Sequence, residues 1–146
     1  MYVVDTNVIS ALASTQDGFH AGVVEWLEQN SRFLYLSVIT VTEIEDGIAK
    51  AERTGARHKA SRLRDWLDAL LHLYSERVLW FDVDAARLAG RLSDLARGRG
   101  HRSGLADLAI AATALGRGYV VLTRNLRHFA PLDVSAHDLF AGPPIS

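Results

Sequence analysis

The chain has 146 residues and not one cysteine. That removes disulfide frameworks, thiolate metal sites and cysteine nucleophiles together. It has no apolar run close to the roughly 20 residues that a membrane-spanning helix requires. No basic stretch precedes an apolar one at the start, so a secretory leader is not expected and a cytoplasmic location fits. No internal repeat, low-complexity tract or shift of composition divides the chain. One domain over residues 1–141, with a short tail at 142–146, is therefore expected. The six histidines show no ligand spacing of the HExxH kind, which argues against zinc. An excess of positive charge is missing as well: 16 basic residues face 17 acidic ones, for a net charge of −1. Without a global basic field, a nucleic-acid partner needs a local basic patch or a divalent cation that offsets the acids.

What remains is a composition of 49% hydrophobic and 23% charged residues, enough apolar material for the core of a globular domain. Four short runs, at 2–4, 33–36, 78–81 and 119–122, are nearly all apolar and rich in β-branched or aromatic side chains. That pattern suits parallel strands buried on both faces. A weaker fifth candidate lies at 132–134. Between the runs stand helical patterns: "AGVVEWLEQN", "VTEIEDGIAKAE", "RHKASRLRDWLDALLHLYSE", "DAARLAGRLSDLAR" and "GLADLAIAATAL". In the third of these, Leu63, Trp66, Leu67, Leu70, Leu71 and Tyr74 form an apolar stripe suited to core or to an oligomer interface. Strands alternating with helices predict βαβ units, and hence an α/β three-layer α/β/α sandwich around a mainly parallel sheet.

Ligands of such sheets bind beyond the carboxyl ends of the strands. The residues there are Asp5, Thr6 and Asn7 after the first run, and Ser37, Thr40 and Glu43 after the second. Asp82 follows the third run, and Thr123, Arg124 and Asn125 follow the fourth. Asp107 sits in the first turn of the helix before the fourth run. Each has a purely structural role to set against a functional one. Asp5 suits a helix cap, although Thr6 and Asn7 cap equally well. Thr40 to Glu43 reads "TVTE", a capping box. Glu45 and Asp46 belong to a solvated helix face. Asp107 fits the acidic preference of a first turn. The small residues Ala106, Ala109, Ala111, Ala112 and Ala114 around it bring its helix close to the sheet, so a part-buried carboxylate in need of a partner is expected. Asp82 reads as an N-cap, and Asn125 as a turn residue. The stretch "RGRGHRSG" reads as a solvated loop, with phosphate contact by Arg97, Arg99, His101 or Arg102 as its functional alternative.

Taken together, the acids point to a cation. Two like charges about 4 Å apart repel by roughly 4 kcal/mol at an effective dielectric near 20. Asp5, Glu43 and Asp107 can share a pocket only if protonated or neutralised. An all-oxygen donor set favours Mg²⁺ or Mn²⁺, which leaves coordination positions for water and a phosphate oxygen. That is the chemistry of a phosphodiester hydrolase.

The segments "VVDTNVIS", "LSVITVTEIEDGI", "ADLAIAATA" and "VLTRNLRHF", in this order and spacing, resemble the PIN-domain family. The short single-domain form is similar to the VapC-type ribonuclease toxins of toxin–antitoxin pairs. The resemblance covers nearly the whole chain. It implies a Mg²⁺- or Mn²⁺-dependent endoribonuclease, a cognate antitoxin protein as partner and a homodimeric toxin. Carried over position by position, it makes Asp5, Glu43 and Asp107 the metal-binding acids and puts Asn125 in the fourth position. Relatives carry Asp or Asn there, and the neutral amide lowers the charge of the site by one. Thr6 or Thr123 would support the acids by hydrogen bonds, and Asn7 would brace the turn. Arg124 and Arg102 are candidate phosphate contacts outside the motif. A PIN-like binding module with little catalysis, acting through complex formation, is the rival reading motivated by Asn125. A receiver-like signalling domain fits less well, because no adjacent acidic pair follows the first strand and no Lys follows a late one.

Overall fold

The computed structural model describes residues 1–13 and 20–144. Five strands form one parallel sheet: β1 (Tyr2–Val4), β2 (Leu34–Ser37), β3 (Val78–Leu79), β4 (Val120–Leu122) and β5 (Ala136–His137). Their order is β3-β2-β1-β4-β5, and every pairing is parallel. The described residues also form the helices α1 (Thr6–Ala13), α2 (Ala21–Gln29), α3 (Val38–Arg53) and α4 (Arg57–Tyr74). Three more follow: α5 (Val83–Gly98), α6 (Leu105–Leu115) and α7 (Leu126–Phe129).

The strands are apolar throughout because both faces are covered. Val4, Leu34, Leu36 and Leu122 pack with Val8, Ile44, Ile48, Leu67 and Tyr74, drawn from α1, α3 and α4. The alternate residues Val3 and Val121 pack on the other face with Ala89 and Leu92 of α5, Ile110 and Ala111 of α6, and Phe129 of α7. The two-residue period of each strand thus divides two cores, and the expected three layers are present. On α4, Ala60, Leu67, Leu70 and Tyr74 are buried, while Trp66 and Leu71 are partly buried against that core. Most of that stripe is therefore core.

Two local expectations fail. The fifth strand is at Ala136–His137 and not at 132–134. Leu132 ends a 3-10 turn, and Asp133 adopts a left-handed backbone at φ 51° that cannot continue a strand. Arg99 fixes that kink: its guanidinium holds both carboxylate oxygens of Asp133 at 2.8 Å and donates to the Pro131 carbonyl. That arrangement also draws the Asp133 carboxyl below its usual range. The capping box fails because α3 starts earlier. Ser37 is its N-cap, with its hydroxyl accepting from Ile39 N–H at 3.1 Å. Thr40 and Glu43 therefore lie inside the helix, free for other roles. Asp82 is an N-cap as expected and accepts from Ala85 N–H at 2.8 Å.

Candidate metal centre at the switch point of the sheet

The chain leaves β1 toward β2 on one side, while β4 flanks β1 on the other. Between β1 and β4 the strand order reverses, which is where a crevice opens in a sheet of this kind. The register sets Val4 opposite Leu122, so Asp5 and Thr123 emerge side by side. Asp5 N–H still bonds the Leu122 carbonyl at 2.9 Å, and its own carbonyl accepts the first N–H groups of α1, from Val8 and Ile9. The backbone therefore leaves Asp5 no freedom to turn outward.

Asp5 is 5% exposed. Thr6 N–H donates to Oδ1 and the Thr123 hydroxyl donates to Oδ2, both at 2.7 Å. Even so, burial pushes the Asp5 carboxyl above its ordinary range. The two hydrogen bonds pull it down, and the charges of Asp107 and Glu43 push it up again. Asp5 thus feels both other acids, and no cationic side chain is among its influences.

Glu43, in the second turn of α3, is exposed, and its Oε1 accepts the Thr6 hydroxyl at 2.6 Å. The buried Thr40 hydroxyl lies 3.1 Å from that of Thr6. Thr6 spends its only hydrogen on Glu43, so Thr40 donates to Thr6. A chain of hydroxyls thereby fixes Glu43 from the core outward. Thr123 is the second node: its Oγ1 accepts Asn7 Nδ2 at 3.2 Å and Asn125 N–H at 3.0 Å while donating to Asp5. Asn7 also accepts from Arg124 N–H, so it braces the β1 and β4 turns against each other. Thr123→Val removes this node. The buried Asp5 Oδ2 then loses its hydroxyl donor, so we expect a net loss of about 1–3 kcal/mol in urea unfolding.

Asp107 is part-buried as expected, at 28% exposure, in the first turn of α6, just before its buried stretch from Leu108 to Ala114. The partner it needs is His128 of α7, whose Nδ1 lies 3.1 Å from Oδ2. His128 is the member that sequence reading passes over, and Thr40, placed at this edge as a capping residue, instead supports Thr6. Asn125 stands at the N-cap position of α7 but caps nothing with its side chain. Its exposed amide is left to the crevice. The Arg124 guanidinium lies 4.6 Å over the Phe140 ring. Of the loop cations, Arg99 is bound to Asp133 and Arg97 to Asp94, both by ion pairs. His101 and Arg102 instead line a cleft beside Asp107. The Arg99 pair braces the kink at Asp133, while the Arg97 pair is exposed on both sides.

Among the described residues, no three acids or histidines close to metal-ligating distance of one another. The donor chemistry nevertheless fits a hard cation. The donors are all oxygen, one carboxylate is buried without a cationic partner, and two more act on it. Mg²⁺ needs only one or two direct carboxylates and keeps waters for the rest. No helix of the described residues is long and apolar enough to cross a membrane.

Known proteins resemble this chain in sequence and fold. Residues 2–133 match the PIN domain. The chain is 40% identical to VapC ribonuclease Y4jK of Sinorhizobium fredii, over 92% of this chain and 95% of that one. It is 33% identical to Toxin FitB of Neisseria gonorrhoeae, again over 92% and 95%. The DNA-bound VapBC structure from Salmonella typhimurium superposes with a TM-score of 0.77 at 26% identity, over 94% of this chain and 97% of that one.

Proposed function

This chain belongs to the PIN-domain family, in the group of the VapC proteins, and from that premise we propose that it is a divalent-metal-dependent endoribonuclease, the toxin of a toxin–antitoxin pair. The observation that carries the reading is Asp5: a buried carboxylate at the switch point of the sheet, pressed by two other acids and, among the described residues, offset by no cation. Bound Mg²⁺ or Mn²⁺ supplies Lewis-acid activation of water and of the phosphodiester. Asp5 and Asp107 hold the metal. Glu43, fixed by Thr6, helps to bind it or orients the attacking water through its second oxygen. Asn125 assists through its side-chain carbonyl, and Arg124 and Arg102 contact phosphate. Thr6 and Thr123 orient the acids, as groups behind metal ligands do. His128 does the same for Asp107.

The partners of this reading are RNA as substrate, a second copy of the chain, and a small antitoxin protein, in the cytoplasm. Structures of relatives are toxin–antitoxin complexes, some bound to DNA, which supports the antitoxin. Purified protein should cleave RNA in Mg²⁺ or Mn²⁺ and not in EDTA, and its expression should arrest growth unless Asp5 is replaced by Asn. RNA left intact at millimolar metal would remove the assignment.

Two observations favour a second reading, a binding module with weak catalysis: among the described residues the acids do not close into a ligand set, and Asn125 gives no fourth charge. Calorimetric titration with Mn²⁺ separates the two. Heat that saturates in the millimolar range or below supports the nuclease; its absence supports the module.

A further inference from the structure

A cleft of about 200 Å³ opens beside Asp107, between the loop that leads into α6 and the short helix α7. Arg102, His101 and Ser103 come from the loop, and Arg127 and His128 from α7. Among the described residues neither guanidinium has a carboxylate partner. Both differ in this from Arg97 and Arg99 a few residues away. The single acid of the cleft, Asp107, already faces His128 through Oδ2.

Two arginines, two histidines and a serine thus line one cleft that holds one acidic residue. Two unpaired like charges repel across such a cleft, and a bound anion relieves that repulsion. The planar fork of arginine matches phosphate oxygens in pairs. The position of the cleft selects among anions. Its wall is shared with a carboxylate of the proposed metal centre, so any strand brought to Asp107 passes along it. A protein tail has no such obligation.

We infer that this cleft is a phosphate subsite for the RNA strand, in which Arg102 and Arg127 grip a phosphodiester next to the one at Asp107. The inference rests on the ribonuclease reading above. Contacts of this type position a strand without reading its bases. A larger cleft of about 620 Å³ provides the control. It lies at the other end of α6 and is lined by Arg87, Arg91 and Arg117, together with Asp82 and Asp84.

The test is fluorescence anisotropy of a labelled single-stranded oligoribonucleotide with the full chain in EDTA, where no metal contributes. Arg102→Gln/Arg127→Gln should weaken binding roughly tenfold or more at low salt. It should also flatten the slope of log K against log salt by about 0.7, the share of the one single-strand phosphate that is no longer neutralised. Arg102→Lys/Arg127→Lys should keep the slope. Arg87→Gln/Arg91→Gln, which removes the same charge elsewhere, should stay within about twofold. Unchanged affinity and slope in the first variant would overturn the subsite, and so would equal losses in both Gln pairs. Loss of antitoxin binding with RNA binding intact would give the cleft to a protein anion instead. A cleavage arm in Mn²⁺ keeps the two readings apart. Slope-dependent binding without any cleavage removes the ribonuclease and leaves the subsite. Cleavage at unchanged KM in the Arg102→Gln/Arg127→Gln variant removes the subsite and leaves the ribonuclease.

Discussion

Asp5→Asn should lower metal-dependent RNA cleavage by about a thousandfold, which is about 4 kcal/mol of transition-state stabilisation. The substitution keeps the shape and removes the charge that a divalent cation needs at the centre of the crevice. It also disturbs hydrogen bonding in a way the geometry specifies. Asp5 accepts from Thr6 N–H and from the Thr123 hydroxyl. Thr123 Oγ1 already accepts from Asn7 and Asn125, which uses both of its lone pairs. An Asn at position 5 must point its amide nitrogen at one of two groups that cannot accept. One buried donor then goes unmet, at about 1–3 kcal/mol. Removal of a buried, like-charge-crowded carboxylate works in the opposite direction, so the net change in stability should be small. Asp107→Asn carries no such conflict, because Asp107 is partly exposed and its side chain meets, among the described residues, His128 alone. If both variants fold, as judged by urea unfolding, and both lose cleavage, the loss is chemical. Activity near the parent level in either folded variant would take that residue out of the metal centre.

The fold was readable because its signals are redundant. Four apolar runs with β-branched residues, separated by amphipathic helices, permit few arrangements other than a parallel sheet covered on both sides. The fifth strand was not readable. Its position depends on the kink at Asp133, and that kink is held by an arginine 34 residues earlier in the chain. Asp5 was legible because a carboxylate at the end of a buried strand has few structural uses, and the sheet rule placed it in the crevice. The role of Glu43 was obscured by a local pattern. "TVTE" satisfies the capping box, yet Ser37 takes the cap and frees both ends of that motif for Thr6. His128 carried no signal of its own, since a lone histidine in "RHF" becomes visible only when α7 folds against α6 and meets Asp107. Contacts made by distant segments leave little local trace. The hydroxyl of Thr40, a buried polar group whose partner lies 34 residues away, belongs to the same class, whereas the bond from Thr123 to Asp5 was expected from the family resemblance.

Mg²⁺ or Mn²⁺ added to the metal-free protein should raise its Tm, and the rise should grow with pH. The Asp5 carboxyl is held above its ordinary range in the folded state, foremost by burial. A carboxyl that keeps its proton more tightly when folded gives the folded state more bound protons than the unfolded one. Stability then falls as pH rises through the window that begins near 4, the unfolded value, and ends at the raised folded value. Above that window the loss is complete. This is the reverse of a salt-bridged carboxylate, which loses stability as pH falls. A divalent cation binds the ionised form and therefore competes with the proton. Its stabilisation is absent below the window, grows through it and is full above it. At a concentration one hundred times its Kd, the gain is about 2.7 kcal/mol. For a chain of this size that corresponds to roughly 5–10 °C in Tm. Thermal unfolding from pH 4 to pH 7.5, with EDTA and with each cation, measures both slopes. In Asp5→Asn the pH-dependent part of the metal-free curve and the cation-induced rise should both flatten. A rise of equal size at every pH, or one that survives in Asp5→Asn, would mean that the cation binds elsewhere on the chain.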